Sequence, residues 1–180
     1  MSRSKRFLGT IANLASDRQG ATAVEFAIVA VPLLSLIMLA LQTATIFFYN
    51  EALQTVAIQS ARQIMTGVAQ KGGTTASQFH TAVCANAPSV FQCSAIMVDV
   101  QSYSSFSTVN TSPITVTYNG SGAPTNTWSF SPGGPGDIVI MRVMYDWPVL
   151  SGPFGLGLVN QSNNTHLMIA TTVFKVEPYQ

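Results

Sequence analysis

The pattern of apolar and polar positions first marks one long segment near the start of the chain. From Phe26 to Tyr49, 19 of the 24 residues are apolar and none is charged. At a rise of 1.5 Å per residue this run is about 36 Å long, against about 30 Å for the hydrocarbon of a bilayer. It therefore predicts one tilted transmembrane helix over about 26–49, with a buried core helix as the alternative.

Helical spacing continues beyond the apolar run. Apolar and small residues recur at intervals of three and four: Leu53, Val56, Ala57, Ser60, Ala61, Ile64 and Val68. This stripe predicts one helix over about 21–70 whose second half packs on the chain's own distal part, with a partner surface as the alternative. Pro32 removes a backbone hydrogen bond and predicts a kink within the membrane half, while Lys71-Gly72-Gly73 ends the helix.

The distal part, residues 74–180, shows a different pattern. Thr75 and Gln78 have capping-box spacing and predict a short helix that ends before Pro88. Alternating or β-branched runs predict strands of one sheet at 96–100, 114–118, 138–145 and 167–174. Between Tyr103 and Gly136, 25 of 34 residues are Ser, Thr, Asn, Gly or Pro, which indicates turns and an exposed insertion. The order predicts an α+β fold, with a small antiparallel sheet packed on the helix stripe.

The distribution of charge predicts the orientation in the membrane. Only 8% of the residues are charged, against about 25% in an ordinary soluble domain. The first 20 residues carry four basic side chains and one acidic one, whereas the remainder carries four basic and six acidic ones. The positive-inside rule therefore predicts a cytoplasmic N-terminus, with the distal part on the other side. So sparse a charge argues against nucleic-acid binding and against disorder.

Cys84 and Cys93 are the two cysteines of the chain. Outside the cytoplasm, two such cysteines predict a disulfide, with a redox pair or half of a zinc site as the alternatives. Closing a loop of this length stabilises a fold by about 2.5–3 kcal/mol in the chain-entropy model.

The start of the chain has the character of a targeting segment. Residues 1–20 form a basic leader that ends in Gly20, and Glu25 is the fifth residue after that glycine. An ordinary secretory signal does not fit, because the small residues precede the apolar run; a mitochondrial presequence remains a rival. An unpaired acid deep in the membrane costs about 2.5–3.5 kcal/mol on insertion scales. Glu25 is therefore predicted to need a partner, the alternative being a simple headgroup-level residue.

This order of basic leader, glycine, glutamate and membrane helix resembles the class III signal of type IV prepilins. In those proteins a dedicated peptidase cuts after the glycine, and the amine so freed is thought to pair with the glutamate in the growing fibre. The resemblance implies a cut between Gly20 and Ala21 and an assembly role for Glu25.

The N-terminal features are similar to the TadE-like family of tight-adherence pilus proteins: the segment Gln19-Gly20-Ala21-Thr22-Ala23-Val24-Glu25-Phe26-Ala27, Pro32, the aromatic exit Phe47-Phe48-Tyr49 and the pair Ala61-Arg62. The distal features are similar too: Cys84 and Cys93 ahead of a Val98-Asp99-Val100 strand, a strand ending Tyr145-Asp146-Trp147-Pro148, and a last strand closing on Glu177-Pro178-Tyr179. One departure is Gln42, where such proteins often carry an acid.

The resemblance implies a pseudopilin or minor pilin needed to assemble a tight-adherence (Flp, type IV-like) pilus. It implies a single-pass protein of the bacterial inner membrane with a periplasmic domain. The expected partners are the membrane, a prepilin peptidase and other pilin subunits. It implies no catalysis, cofactor, nucleic acid or small-molecule substrate. An uncleaved anchored binding or sensor domain is the alternative, whereas an anchored hydrolase lacks any visible nucleophile and base.

The remaining side chains add two expectations. His80 and His166 are expected to be solvated, and no metal site is expected because no Cys/His/Asp spacing is typical of one. The loop 149–158 is predicted to touch another subunit through its apolar side chains, with packing on the domain's own core as the alternative. The residues proposed for that contact are Phe154, Leu156 and Leu158.

Overall fold

The computed structural model of the chain describes residues 20–110, 112–149 and 157–179. Helix α1 (Ala21–Met65) is a continuous α-helix of 45 residues. It begins immediately after Gly20, whose carbonyl accepts a hydrogen bond from the amide of Val24 at 3.2 Å. The predicted long helix is therefore confirmed.

The end of α1 lies one turn earlier than predicted. Gly67 adopts a φ of 76°, a left-handed conformation that ends the helix and that glycine adopts without strain. A separate short helix follows, α2 (Val68–Lys71), and it ends at Gly72. The glycine at 67 is thus the stop signal, rather than the Lys71-Gly72-Gly73 sequence.

The second half of α1 packs on the chain's own distal domain, as predicted. Six of the seven stripe residues are buried: Leu53, Val56, Ala57, Ser60, Ala61 and Ile64. The seventh, Val68, is 61% exposed, and Ala69 is buried instead. The break at Gly67 changes the helical phase, so the spacing rule no longer holds beyond it.

Helix α3 (Ala76–Asn86) begins at the predicted capping box. The Thr75 hydroxyl accepts a hydrogen bond from the Gln78 amide, and the Thr75 amide donates to the Gln78 side chain. Phe79 and Val83 are fully buried against the core. The predicted disulfide is also confirmed, and it joins Cys84 in α3 to Cys93, with their Cα atoms 5.4 Å apart.

Three strands form one antiparallel sheet in the order β1-β2-β3, namely β1 (Ile96–Tyr103), β2 (Ile138–Pro148) and β3 (Thr165–Lys175). Val100, Val143, Tyr145 and Ala170 belong to the buried core shared with α1 and α3. This arrangement confirms the α+β fold, in which a long helix lies on one face of a small sheet.

The predicted strand at 114–118 is wrong. Within the described residues this segment makes an isolated bridge between Tyr118 and Pro124 and does not join the sheet. Its apolar side chains instead cover the sheet face opposite α1, where Val116 is buried with Met97 and Met144. Alternation here reflects one-sided burial of an irregular segment.

A buried ion pair fixes the polar insertion to that outer face. Asp99 and Arg142 are directly opposite each other in β1 and β2, with Oδ2 and Nη1 3.5 Å apart. Asp99 also accepts a hydrogen bond from the Ser129 amide, and Arg142 donates to the carbonyl of Asn110. Because both charges are buried and hydrogen-bonded, removing either partner would leave an uncompensated charge.

The C-terminal segment returns to the end of α1. The amide of Glu177 donates to the carbonyl of Met65 at 2.8 Å. The ring of Tyr179 lies against the Cα of Gly67, where a side chain would overlap it. Glycine at 67 is therefore required both by its φ and by this close approach.

Candidate functional site

The apolar side chains in the first half of α1 are largely exposed. Most of its large side chains have more than half of their surface accessible, among them Phe26, Ile28, Val29, Leu33, Leu34, Leu36 and Leu41. Among the described residues α1 is the one helix long and apolar enough to cross a membrane. Only 6% of its most apolar 18-residue stretch is buried. A buried core helix does not fit this exposure, which favours the predicted span.

Gly20, Ala21 and Glu25 lie together where α1 begins. Glu25 is four residues after Ala21, which places it about 6 Å further along the axis on nearly the same face. Its side chain is exposed, and the one ion pair among the described residues is that of Asp99 and Arg142. The predicted leader, residues 1–19, lies outside the described residues, so its cleavage stays a prediction.

Pro32 lies inside α1, as expected, and the helix continues through it. Since proline has no amide hydrogen, it cannot donate the helical bond to the carbonyl of Ile28. Nearby hydroxyls bond to their own helix: Ser35 donates to Val31 O at 2.7 Å and Thr43 to Leu39 O at 2.8 Å. The predicted kink at Pro32 stays a prediction.

Gln42 differs from these hydroxyl residues, because its side-chain Oε1 is buried and has no hydrogen-bond partner among the described residues. Gln42 lies towards the far end of the apolar run, beside Trp147, Pro148 and Val149 of the distal domain. An orphaned acceptor at this depth is costly, so a donor brought close to it would be stabilised.

An aromatic cluster joins the end of the apolar run to the distal domain. The ring of Tyr49 stacks on Trp147, and Phe91 packs edge-on against Tyr49 with its centroid 5.9 Å away. Phe91 also packs edge-on against Tyr145, at 5.0 Å. The sequence showed an aromatic exit and an aromatic strand end, but not that these would meet.

Two cavities flank Ile46 at the same junction. One of about 220 Å³ lies between α1 and Trp147, Pro148 and Val149. The other, of about 290 Å³, lies between α1 and the segment that carries Leu158 and His166. Among the described residues, both cavities therefore lie between α1 and the same end of the domain.

The structure describes part of the predicted contact loop. Phe154 and Leu156 lie outside the described residues, so their proposed subunit contact stays a prediction. Val149 and Leu158 are half-buried and pack against the domain's own core. For these two residues the alternative of packing on the core is favoured.

The expectation that both histidines are solvated is wrong. His80 is half-buried with Nε2 2.9 Å from the carbonyl of Ile96, and His166 has Nδ1 2.6 Å from the carbonyl of Leu158. Because a carbonyl only accepts hydrogen bonds, each of these nitrogens carries the proton. His80 also lies near Cys84 and Cys93, but their sulfurs are joined in the disulfide and offer no thiolate to a metal.

A second polar cluster lies at the edge of the sheet where β2 ends and β3 begins. The hydroxyl of Tyr118 donates to Asp146 Oδ1 at 2.8 Å, and the hydroxyl of Thr165 donates to the same oxygen at 3.2 Å. Burial, and then the hydrogen bond and negative charge of Asp146, raise the pKa of Tyr118. These bonds join the insertion to both β2 and β3.

Within the described residues, the exposed apolar half of α1, its buried second half and the attached α+β domain define a membrane-anchored protein with one span and one extramembrane domain. A family model described as TadE-like protein matches residues 20–62, which cover nearly all of α1 together with Gly20. The resemblance inferred from the sequence is therefore confirmed over the anchor helix, on less than half of the 180 residues. No curated protein and no solved structure matches the chain.

Proposed function

We propose that the chain is a pseudopilin or minor pilin that takes part in assembling a tight-adherence (Flp, type IV-like) pilus. The observation that carries this proposal is the TadE-like match over residues 20–62, since that segment holds Gly20, Glu25 and the exposed apolar helix in one unit. The protein is a single-pass protein of the bacterial inner membrane, with its N-terminus cytoplasmic and its domain periplasmic or carried into the pilus.

The mechanism begins with removal of the leader after Gly20 by a prepilin peptidase. The cut creates an ammonium group at Ala21, four residues from the carboxylate of Glu25. Within one subunit the two charges lie on nearly the same helix face and can pair. Between parallel helices the same carboxylate can meet a neighbour's amine, which fixes the axial register of the two subunits.

Helix α1 supplies the packing surface for other pilin and pseudopilin helices. Its exposed apolar side chains lose lipid contacts and gain protein contacts on assembly. Because the stripe from Leu53 to Ile64 is buried in the distal domain, the position of the helix sets the position of the domain. The role is structural, and it uses no cofactor, nucleic acid or small-molecule substrate.

The test is the identity of the first residue of protein extracted from membranes, determined by mass spectrometry. We expect Ala21 in cells with an active prepilin peptidase and Met1 in cells without it. The variant Gly20→Leu should keep the leader, whereas Gly9→Leu, a control within the leader itself, should be cleaved normally. An intact Met1 terminus in the presence of the peptidase would contradict the proposal and favour the uncleaved binding or sensor domain.

A further inference from the structure

The end of the distal domain that contains Trp147, Pro148 and Val149 lies beside the last part of the predicted membrane span of α1. If hydrocarbon begins at Phe26, a layer about 30 Å thick ends near Ile46, twenty residues further on. Trp147, Pro148 and Val149 face a stretch of α1 that runs from Met38 to Ile46. These residues therefore lie at or below the expected outer boundary of the hydrocarbon.

The chemistry of this end of the domain suits that depth. No charged side chain occurs in the sequence between Asp146 and Lys175. The carboxylate of Asp146 is turned to Tyr118 and Thr165, with which it forms hydrogen bonds. Leu158 and Pro148 add apolar surface next to the helix, and the domain can enter a polar–apolar boundary layer without burying a charge.

The helix presents matching aromatic residues at the same level. Phe47 and Phe48 are 66% and 69% exposed, although the domain already buries the adjacent Ile46 on another face of α1. Tyr49 stacks on Trp147, so an indole and a phenol lie side by side at the hydrocarbon boundary. Tryptophan and tyrosine are enriched at this level in membrane proteins because their rings are apolar and their polar ends remain hydrated.

We propose that this junction surface, formed by Phe47, Phe48, Trp147 and Pro148 with the exposed parts of the half-buried Val149 and Leu158, rests in the headgroup layer of the bilayer. The occupant is lipid because the surface is continuous with the membrane-facing side chains of α1 and carries no charge. The distal domain therefore sits on the membrane before assembly, and it must leave the headgroup layer when the subunit is extracted into a fibre. This inference depends on the membrane anchor and holds whether or not the leader is cleaved.

The two tryptophans of the chain provide a matched test. Trp128 packs on the opposite face of the sheet with Met97 and Met144. Met144 precedes Trp147 by three residues, which is about 10 Å along β2. Trp128→Phe leaves Trp147 as the reporter, whereas Trp147→Phe leaves Trp128.

Each variant is reconstituted as the full chain, at low protein-to-lipid ratio, in phosphatidylcholine–phosphatidylglycerol vesicles with lipids brominated near the headgroup. We expect the brominated lipids to quench the fluorescence of Trp147 at least about twice as strongly as that of Trp128, because interfacial aromatic residues lie within reach of the acyl-chain bromines. The wild-type protein needs no substitution and should show two emission components, one quenched and one spared.

Equal quenching of the two tryptophans would overturn the proposal and place the junction surface in water. Emission of Trp147 that changes with the protein-to-lipid ratio, while its quenching stays at the level of Trp128, would assign the surface to a second subunit and overturn it as well. Neither outcome affects the mass of the leader-cleaved protein, so failure here is distinguishable from failure of the pilus assignment.

Discussion

The rings of Tyr49 and Trp147 stack with their centroids 4.4 Å apart and their planes inclined by 29°. This pair joins the end of the apolar run of α1 to the end of β2, far apart in sequence. Since α1 continues without interruption from the anchor into the core, the anchor and the domain are joined by a rigid helix rather than by a linker.

Leu53→Ala should destabilise the domain by about 2–5 kcal/mol, because Leu53 is fully buried between α1 and the sheet. Ile58→Ala removes an apolar side chain of similar size from the same helix, but Ile58 is 51% exposed. It should change the stability by no more than about 0.5 kcal/mol. Urea unfolding in detergent micelles, followed by near-ultraviolet circular dichroism, measures both; equal losses would contradict the assignment of the buried face.

Replacing Cys84 and Cys93 together by Ser should lower the stability of the domain by about 2.5–3 kcal/mol, since the closed loop restricts the unfolded chain. The span should be unaffected, because the loop lies wholly within the distal domain. Alkylation of protein taken from membranes should find no free thiol. Modification of either cysteine without prior reduction would refute the disulfide in the native compartment.

Glu25→Gln should leave membrane insertion intact but reduce crosslinking to other pilin helices, because it removes the charge that pairs with the Ala21 amine. Glu25→Asp should retain part of the crosslinking, since the charge remains on a shorter side chain. Glu51→Gln is the matched control, because it removes an exposed carboxylate from the same helix beyond the apolar run. Normal crosslinking and normal pili with Glu25→Gln would make the carboxylate a headgroup-level residue.

The Tyr118–Asp146 bond predicts a loss of stability in alkali. The raised pKa of Tyr118 means that the folded protein holds the phenolic proton after the unfolded chain has released it, near pH 10. The unfolded state then binds fewer protons, so stability falls as the pH rises from about 10 towards the raised pKa. Tyr118→Phe should reduce that slope. Denaturation midpoints between pH 9 and pH 11 decide the matter, and identical slopes for wild type and Tyr118→Phe would contradict the linkage.

Gly67→Ala should be more damaging than Gly73→Ala. Both glycines have positive φ, at 76° and 58°, so alanine introduces backbone strain of about 1–2 kcal/mol at either position. At Gly67 the new Cβ also overlaps the ring of Tyr179, whereas Gly73 has no atom within 4 Å of that position. The difference between the two variants in thermal unfolding measures the docking of the C-terminal segment; equal losses would show that Tyr179 yields without cost.

The sequence pattern predicted the parts of the fold that depend on local periodicity. The stripe on α1 and the capping box are short-range features. The stripe was confirmed up to Gly67, and the capping box was confirmed at Thr75 and Gln78. The failure at Val68 has a local cause, because one glycine in the left-handed region shifts the phase of the short helix that directly follows it. The wrong strand prediction at 114–118 has a cause elsewhere in the chain. The segment alternates like a strand, but the sheet face that it covers is formed by residues far from it in sequence.

The polar contacts of the domain depend on strand register and could not be predicted. Asp99 is the one charged residue of β1, and Arg142 has apolar neighbours on both sides in β2, which is a detectable signal for a buried pair. Their pairing, however, requires β1 and β2 to be aligned residue by residue. The contacts of His80 and His166 with carbonyls likewise arise from tertiary packing. The cleavage site and Glu25 were recognised because their signal lies within nine residues of continuous sequence, where no folding is needed.

The return of the C-terminal segment to the end of α1 has a mechanical consequence. Within the described residues the chain leaves α1 only beyond Met65, and Glu177 is hydrogen-bonded back to that same residue. A pull on the membrane end of α1 therefore loads the buried stripe in shear, so that its contacts bear the force together instead of peeling apart in turn. We expect the domain to withstand traction along the helix axis better than traction applied across it.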